Sequence, residues 1–199
     1  MRGILHRLMW INIGTRSRGR MNMIDKEFKF FCDWYFRAQL DENYDADRQF
    51  FYFYALFDHL FKSYAEEQKD DLEAQGLQLK NSERSKMRYF LYSYLYTEKK
   101  HDCFKNYNPF ATLQDCKQTR IIEKLKDDKN VEVFSENYDL PPFESLVALF
   151  EEIYDIRCNL FHGSSDLSDS TNNKLIDEAN IVLKDFLKRL FDKAVHKEK

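Results

Sequence analysis

The sequence predicts an all-α fold, an antiparallel bundle of about five to six helices. Glycine and proline are scarce, with 5 Gly and 3 Pro in 199 residues, which argues against a fold rich in turns and short strands. Apolar residues recur at spacings of three and four along several segments, as on one face of a helix. Hydrophobic residues make up 43% of the chain and charged residues 33%, so it can bury a core within a single globular domain.

Residues 1–23 are set apart from this domain, which we expect to span residues 24–195. The segment contains five arginines and no acid, and its apolar pieces are too short to cross a bilayer, so no membrane partner is expected. We interpret it as a flexible basic arm or as a non-native start, with the natural start at Met21 or Met23. Its composition also resembles an organelle transit peptide.

The first two predicted helices are rich in aromatic residues. One covers residues 24–40, and the next covers about 46–68 with Asp45 as its N-cap. The second helix carries the apolar residues Phe50, Phe51, Phe53, Tyr54, Phe57, Leu60, Phe61 and Tyr64. Rings at this spacing are usually core, whereas a base-stacking site would need exposed rings with basic neighbours. We therefore interpret the rings as core.

A third helix is predicted over residues 82–98, with basic residues near both ends. Arg84, Lys86 and Arg88 lie near its start, and Lys99 and Lys100 follow its end. The net charge of −3 gives no general attraction to nucleic acid, so RNA binding would need such a local surface. A solvated helix face explains these residues equally well.

Residues 106–140 are interpreted as an insertion before the next long helix. It contains a short helix over about 111–126 and an irregular stretch over 127–140. Packing against the bundle is the simplest role for the insertion, and a lid or partner surface is the alternative.

The most informative segment runs from Pro141 to Gly163, and a final helix over about 173–195 follows it. The apolar stripe of this segment comprises Phe143, Leu146, Val147, Phe150, Ile153, Tyr154, Leu160 and Phe161. Continuing the stripe leads to Arg157. An arginine on a buried face must be paired or line a wet cleft, because desolvating an unpaired charge is costly. The helix is therefore predicted to end at a polar site.

The end of this helix, Arg157-Cys-Asn-Leu-Phe-His162, resembles the R-x4-6-H signature of the HEPN superfamily (higher eukaryotes and prokaryotes nucleotide-binding domains). The aromatic residue before His162, the glycine after it and the amphipathic helix that follows are also similar. Many family members carry a polar residue directly after the arginine. Here Cys158 takes that position, and the polar Asn159 comes one residue later.

The resemblance is sharpest over about residues 141–191, and it implies a HEPN-like bundle with metal-independent endoribonuclease activity. Attack by the 2′-hydroxyl of RNA would leave a 2′,3′-cyclic phosphate and a 5′-hydroxyl. His162 would act as acid or base, Arg157 would stabilise the phosphate, and Asn159 would orient the imidazole or the substrate. No metal or cofactor is expected.

The resemblance also implies a homodimer in which the motif helices meet. One histidine cannot be both base and acid in the same step, whereas a dimer supplies two. On an ideal helix His162 lies about 140° from Arg157, so the two share a face only if the last turn unwinds at Gly163. Such ribonucleases serve as toxins or in antiphage defence, under a cognate antitoxin or regulatory protein.

Three other interpretations stay open. A catalytically silent bundle of the same superfamily would act as an RNA-binding or partner-binding module. Alternatively, Arg157 pairs with an acid such as Glu27 or Asp33, and His162 only caps the helix. Finally, Cys158 and His162 have the i, i+4 spacing of metal ligands, although two ligands without a companion pair make a weak zinc site.

The cysteines indicate the compartment. Cys32, Cys103, Cys116 and Cys158 are widely spread and form no C-x2-C pair. Reduced thiols in a cytoplasmic protein are the simplest account.

Overall fold

The structure is a computed structural model that describes residues 33–35, 45–76, 79–95, 104, 107–127, 141–162 and 170–196. Several predicted features lie outside these residues: the basic segment 1–23, most of the helix over 24–40, the irregular stretch over 128–140, and Gly163, which follows the motif histidine.

Seven helices are assigned within the described residues, which contain no strand, and the all-α class is confirmed. They are α1 (Ala46–Glu67), α2 (Lys69–Ala74), α3 (Glu83–Leu95), α4 (Pro109–Asp115), α5 (Arg120–Asp127), α6 (Phe143–Phe161) and α7 (Ser170–His196). Residues 33–35 are also helical. The number is close to the five or six predicted, since α2 and α4 are only 6 and 7 residues long.

The helix predicted over residues 111–126 proves to be two helices, α4 and α5. Lys117 lies between them with a φ of 55°, a left-handed conformation that interrupts a helix. α4 begins earlier than predicted, because Asn108 caps it: its side-chain oxygen accepts a hydrogen bond from the backbone N–H of Ala111 at 3.1 Å. Asp45 precedes α1 as predicted, but its side chain makes no capping hydrogen bond.

The core is built largely from aromatic rings. Phe57 of α1 lies at its centre, with ring centroids 5.1 Å from Phe150 of α6 and 5.6 Å from Phe186 of α7. Phe90 of α3 completes the cluster at 6.1 Å from Phe57. α1 buries Phe50, Phe53, Tyr54, Leu56, Phe57, Leu60, Phe61 and Ala65. Most of the predicted aromatic stripe of α1 is therefore core.

The described part of the predicted insertion also belongs to this core. α4 and α5 pack against α7, and they bury Phe110, Leu113, Ile121, Ile122 and Leu125. The carboxylate of Glu178 on α7 is 1% exposed and accepts the backbone N–H groups of Arg120 at 2.8 Å and Ile121 at 2.6 Å. These are unpaired donors of the first turn of α5, so the carboxylate caps that helix from a neighbouring one.

In the part of the chain that the structure describes, every helix is too short or too polar to cross a membrane.

Candidate functional site

The two motif residues lie at the C-terminal end of α6. The helix is regular to Phe161, and His162 forms its C-cap, with its backbone N–H donated to the carbonyl of Cys158 at 3.0 Å. Since the last turn does not unwind before His162, Arg157 and His162 remain about 140° apart around the helix. Arg157 is half-buried and His162 is exposed. One chain thus presents them in different directions.

Arg157 is held by aromatic rings and a thiol. Its guanidinium carbon lies 4.8 Å from the ring centroid of Phe161 and 5.8 Å from that of Tyr54. Its Nη1 donates to the sulfur of Cys158 at 3.9 Å, a weak bond. None of the described acids forms an ion pair with it. In particular, Asp33 does not, and Glu27 is outside the described residues.

The charge on Arg157 is secure. Partial burial lowers its pKa, but the hydrogen bond to Cys158, together with smaller electrostatic contributions from Tyr54, Cys158 and Glu83, outweighs that effect, so the pKa lies above its usual value. The guanidinium in turn helps to hold the pKa of Glu83 below its usual value, although the hydrogen bond from Lys62 is the main cause. Arg157 is therefore a permanent cation with no carboxylate ion-paired to it among the described residues.

A cleft of about 160 Å³ opens beside this guanidinium, between α1 and α6. It is lined by Phe51, Tyr54, Ala55, Asp58, Arg157 and Phe161. Oδ2 of Asp58 pairs with Lys62 at 2.8 Å, whereas its Oδ1 is buried without a hydrogen bond. The hydroxyl of Tyr54 is also buried and makes no hydrogen bond. Two polar groups on α1 are thus unsatisfied next to the motif arginine.

Tyr54 stays protonated at neutral pH. Burial is the main cause that raises the pKa of its hydroxyl, and the negative charge of Asp58 adds to it, while Arg157 acts in the opposite direction. The group is therefore a neutral hydroxyl that retains its proton.

A second, wider cleft of about 420 Å³ adjoins the first. Its lining comprises Asp47, Arg48, Phe50, Phe51, Tyr52, Leu160 and Phe161. Phe51 is 41% exposed and Phe161 is 53% exposed, with their ring centroids 5.7 Å apart. The prediction that these two rings belong to the core is wrong. Phe51 follows the buried Phe50 and lies off the inward stripe. Phe161 follows Leu160, which packs against the core, and projects about 100° away from it around the helix.

Asn159 does not join Arg157. The two residues are two positions apart, about 200° around the helix, and they line different clefts. Asn159 lines a small one of about 80 Å³, with Lys124 and Glu152 among its neighbours. A role for Asn159 at the same phosphate as Arg157 would therefore need a second chain.

The predicted basic surface on α3 is largely engaged in ion pairs with α6. Arg84 lies 2.5 Å from the carboxylate of Asp155, and Nε of Arg88 donates to Glu151 at 3.0 Å. Lys86 lines a different groove, together with acids of α1 and α2. Lys99 and Lys100 are outside the described residues. The two arginines thus tie α3 to α6 instead of forming an unpaired basic patch.

Reasoning from the sequence missed three residues of this site: Tyr54 and Asp58 as polar neighbours of Arg157, and Phe51 as an exposed ring. Tyr54 and Asp58 are four positions apart, which places them on one face of α1. That spacing predicts that Tyr54 and Asp58 lie close to each other. It does not predict that α6, and with it Arg157, packs beside them.

Comparison of the chain with protein-family models, with curated proteins and with solved structures gives no match. Within the described residues, no cluster of three or more histidine, cysteine, aspartate or glutamate side chains has an arrangement that could hold a metal ion. Cys158 and His162 thus have no companion ligands there.

Proposed function

We propose that this protein is a metal-independent endoribonuclease of HEPN type, which works in the cytoplasm as a homodimer and serves as a toxin or defence ribonuclease. One observation carries the proposal: Arg157, at the end of the motif helix, is a half-buried cation without an ion-paired carboxylate among the described residues. It faces a cleft and precedes an exposed histidine by five positions. A guanidinium in that state suits a phosphate.

The chemistry follows from the two side chains. The imidazole of His162 takes the proton from the 2′-hydroxyl, or gives one to the leaving 5′-oxygen, because an imidazole titrates near neutrality. Arg157 stabilises the negative charge that builds on the phosphate oxygens, and the low-dielectric rings around it strengthen that interaction. The products are a 2′,3′-cyclic phosphate and a 5′-hydroxyl.

The dimer is supported by the geometry of α6. Because Arg157 and His162 project about 140° apart, a phosphate held by the arginine of one chain is best reached by the histidine of another. Two motif ends that meet about a two-fold axis would supply two arginines and two histidines to one cleft, so that one imidazole acts as base and the other as acid. Cognate antitoxins or regulatory proteins would act by blocking this cleft.

A second candidate is a catalytically silent module of the same superfamily that binds RNA or a partner protein. The ion pairs of Arg84 and Arg88 favour it, because they leave the predicted basic surface largely neutralised. So does the position of Asn159 on the far side of the helix from Arg157.

The two candidates differ in cleavage. We expect the purified protein to cut a labelled structured RNA in EDTA and to leave cyclic phosphate ends. Arg157→Ala and His162→Ala should each lower the rate by at least about a hundredfold. Arg120→Ala is the matched control, since this exposed arginine pairs with Glu123 on α5, and it should retain full activity.

Full activity in His162→Ala would contradict the assignment. No cleavage by a folded, dimeric wild type would favour the binding module instead.

A further inference from the structure

Two of the exposed aromatic side chains form a pair at the motif end of the bundle. Three large hydrophobic residues are exposed in the described part of the chain: Phe51, Tyr92 and Phe161. Tyr92 packs its ring against Phe143 at the start of α6, about 27 Å from Phe161 by the length of the helix. Phe51 and Phe161 instead lie side by side, between the two clefts that flank the motif.

An arginine lies on each side of this pair, and each cleft also contains an acid, Asp58 beside Arg157 and Asp47 beside Arg48. Arg157 is 4.8 Å from the ring centroid of Phe161, and Arg48 lines the wider cleft with both rings. Exposed rings with basic neighbours are the combination that stacks a nucleobase and holds the phosphate next to it. The remaining rings of α1 lack it, since they are buried or packed against the core.

The exposed area argues for a small planar occupant. A ring side chain presents about 200 Å² when free, so the exposed parts of the two rings amount to about 200 Å² together. A stable dimer buries about 800 Å² on each partner. The pair alone would make up only about a quarter of such an interface, whereas its area matches one or two nucleobases.

We propose that Phe51 and Phe161 form a stacking platform for an unpaired nucleobase of an RNA substrate. The inference rests on the proposed function for its RNA chemistry, but it concerns binding and can be tested apart from cleavage. Because bases within a duplex are already stacked on each other, the platform selects single-stranded RNA, loops and ends. Because Arg157 lies against Phe161, a base stacked there places its phosphate near the guanidinium.

The test measures RNA binding in the His162→Ala background, where the substrate is not cut. Fluorescence anisotropy would compare a labelled single strand of about 12 nucleotides with the same sequence as a duplex. We expect the single strand to bind more tightly, and Phe51→Leu or Phe161→Leu to weaken that binding by about tenfold or more. Phe51→Tyr keeps a ring and should bind within about twofold of the parent.

Tyr92→Leu is the matched control, because it removes an exposed ring far from the motif, and it should not change binding. Equal binding of single strand and duplex, no effect of Phe51→Leu, or no binding at all would overturn the platform.

Cleavage by the wild type alongside any of these results would leave the ribonuclease proposal standing. Selective binding without wild-type cleavage would support the platform and remove the ribonuclease. A drop in molecular mass of Phe51→Leu in sedimentation would assign the rings to a subunit interface and overturn the proposal.

Discussion

The neighbours of Arg157 determine both the orientation of its guanidinium and its availability to a ligand. Two rings lie under the guanidinium and a thiol accepts one of its hydrogen bonds, so it is oriented without being neutralised. An ion pair with a carboxylate would also have offset the free energy of desolvating the guanidinium, but the carboxylate would then compete with a phosphate for it. Because rings and not an acid surround Arg157, its guanidinium can still bind an anionic ligand.

Two tyrosines near this arginine should respond in opposite directions when their hydroxyls are removed. Tyr54→Phe deletes a buried hydroxyl without a hydrogen bond, so we expect the free energy of unfolding to rise by up to about 1 kcal/mol. Tyr154→Phe deletes a hydroxyl that interacts with the Cys158 thiol and the Glu83 carboxylate, so we expect a loss of up to about 1 kcal/mol. Urea denaturation of both variants provides the measurement. A loss in Tyr54→Phe as large as in Tyr154→Phe would show that the Tyr54 hydroxyl has a partner after all.

Residue-level prediction from the sequence succeeded where helical periodicity decided the outcome. It placed Phe57 and Phe150 in the core, because their spacing matches a helix face. It was wrong about Phe161, since periodicity cannot show which side of the last turn a neighbouring helix covers.

Among the elements, α6 contacts its neighbours through ion pairs of its acidic residues as well as through its apolar stripe. Asp155 and Glu151 pair with arginines of α3, and Glu152 pairs with Lys124 of α5. Exposed pairs of this kind contribute little to stability, at most about 1 kcal/mol each. The two pairs with α3 bear on the proposed function, because they neutralise Arg84 and Arg88, which the sequence had suggested as an RNA-binding surface.

The start of α5 depends on a side chain from another helix. We expect Glu178→Ala to lower the free energy of unfolding by about 2–3 kcal/mol, because it leaves a buried backbone N–H group, of Ile121, and a part-buried one, of Arg120, without an acceptor. Chemical denaturation would measure it. Glu123→Ala is the control, since this exposed glutamate of α5 should change stability by less than about 1 kcal/mol. A small effect of Glu178→Ala would mean that α5 reforms with another cap.

At this scale the sequence located the helices better than it located their ends. The sequence predicted one helix where the structure has α4 and α5, because no glycine or proline marks the break between them. Lys117 takes the positive φ that a glycine would usually take, and propensity does not predict such a conformation for lysine.

For the whole molecule, the proposed chemistry requires two chains. We expect a roughly tenfold excess of inactive His162→Ala subunits, once exchanged with wild type, to lower the activity per wild-type chain roughly tenfold, because most wild-type chains then share a cleft with only one imidazole. Cleavage assays on the mixture before and after subunit exchange provide the measurement and its control. Unchanged activity after exchange would show that each chain cuts alone.

The fold class, the amphipathic faces and the position of the Arg157 and His162 motif at a helix end could all be predicted before the structure was known, because they depend on local periodicity and residue type. The packing of the helices adds three further facts: Arg157 faces rings in place of an acid, Arg84 and Arg88 are paired, and Phe51 and Phe161 are exposed together. Each of these depends on which helix packs beside which, and at what height. These contacts between helices join residues from 63 positions apart, for Arg88 and Glu151, to 161 − 51 = 110 apart, for Phe51 and Phe161, and spacing along one chain does not encode them.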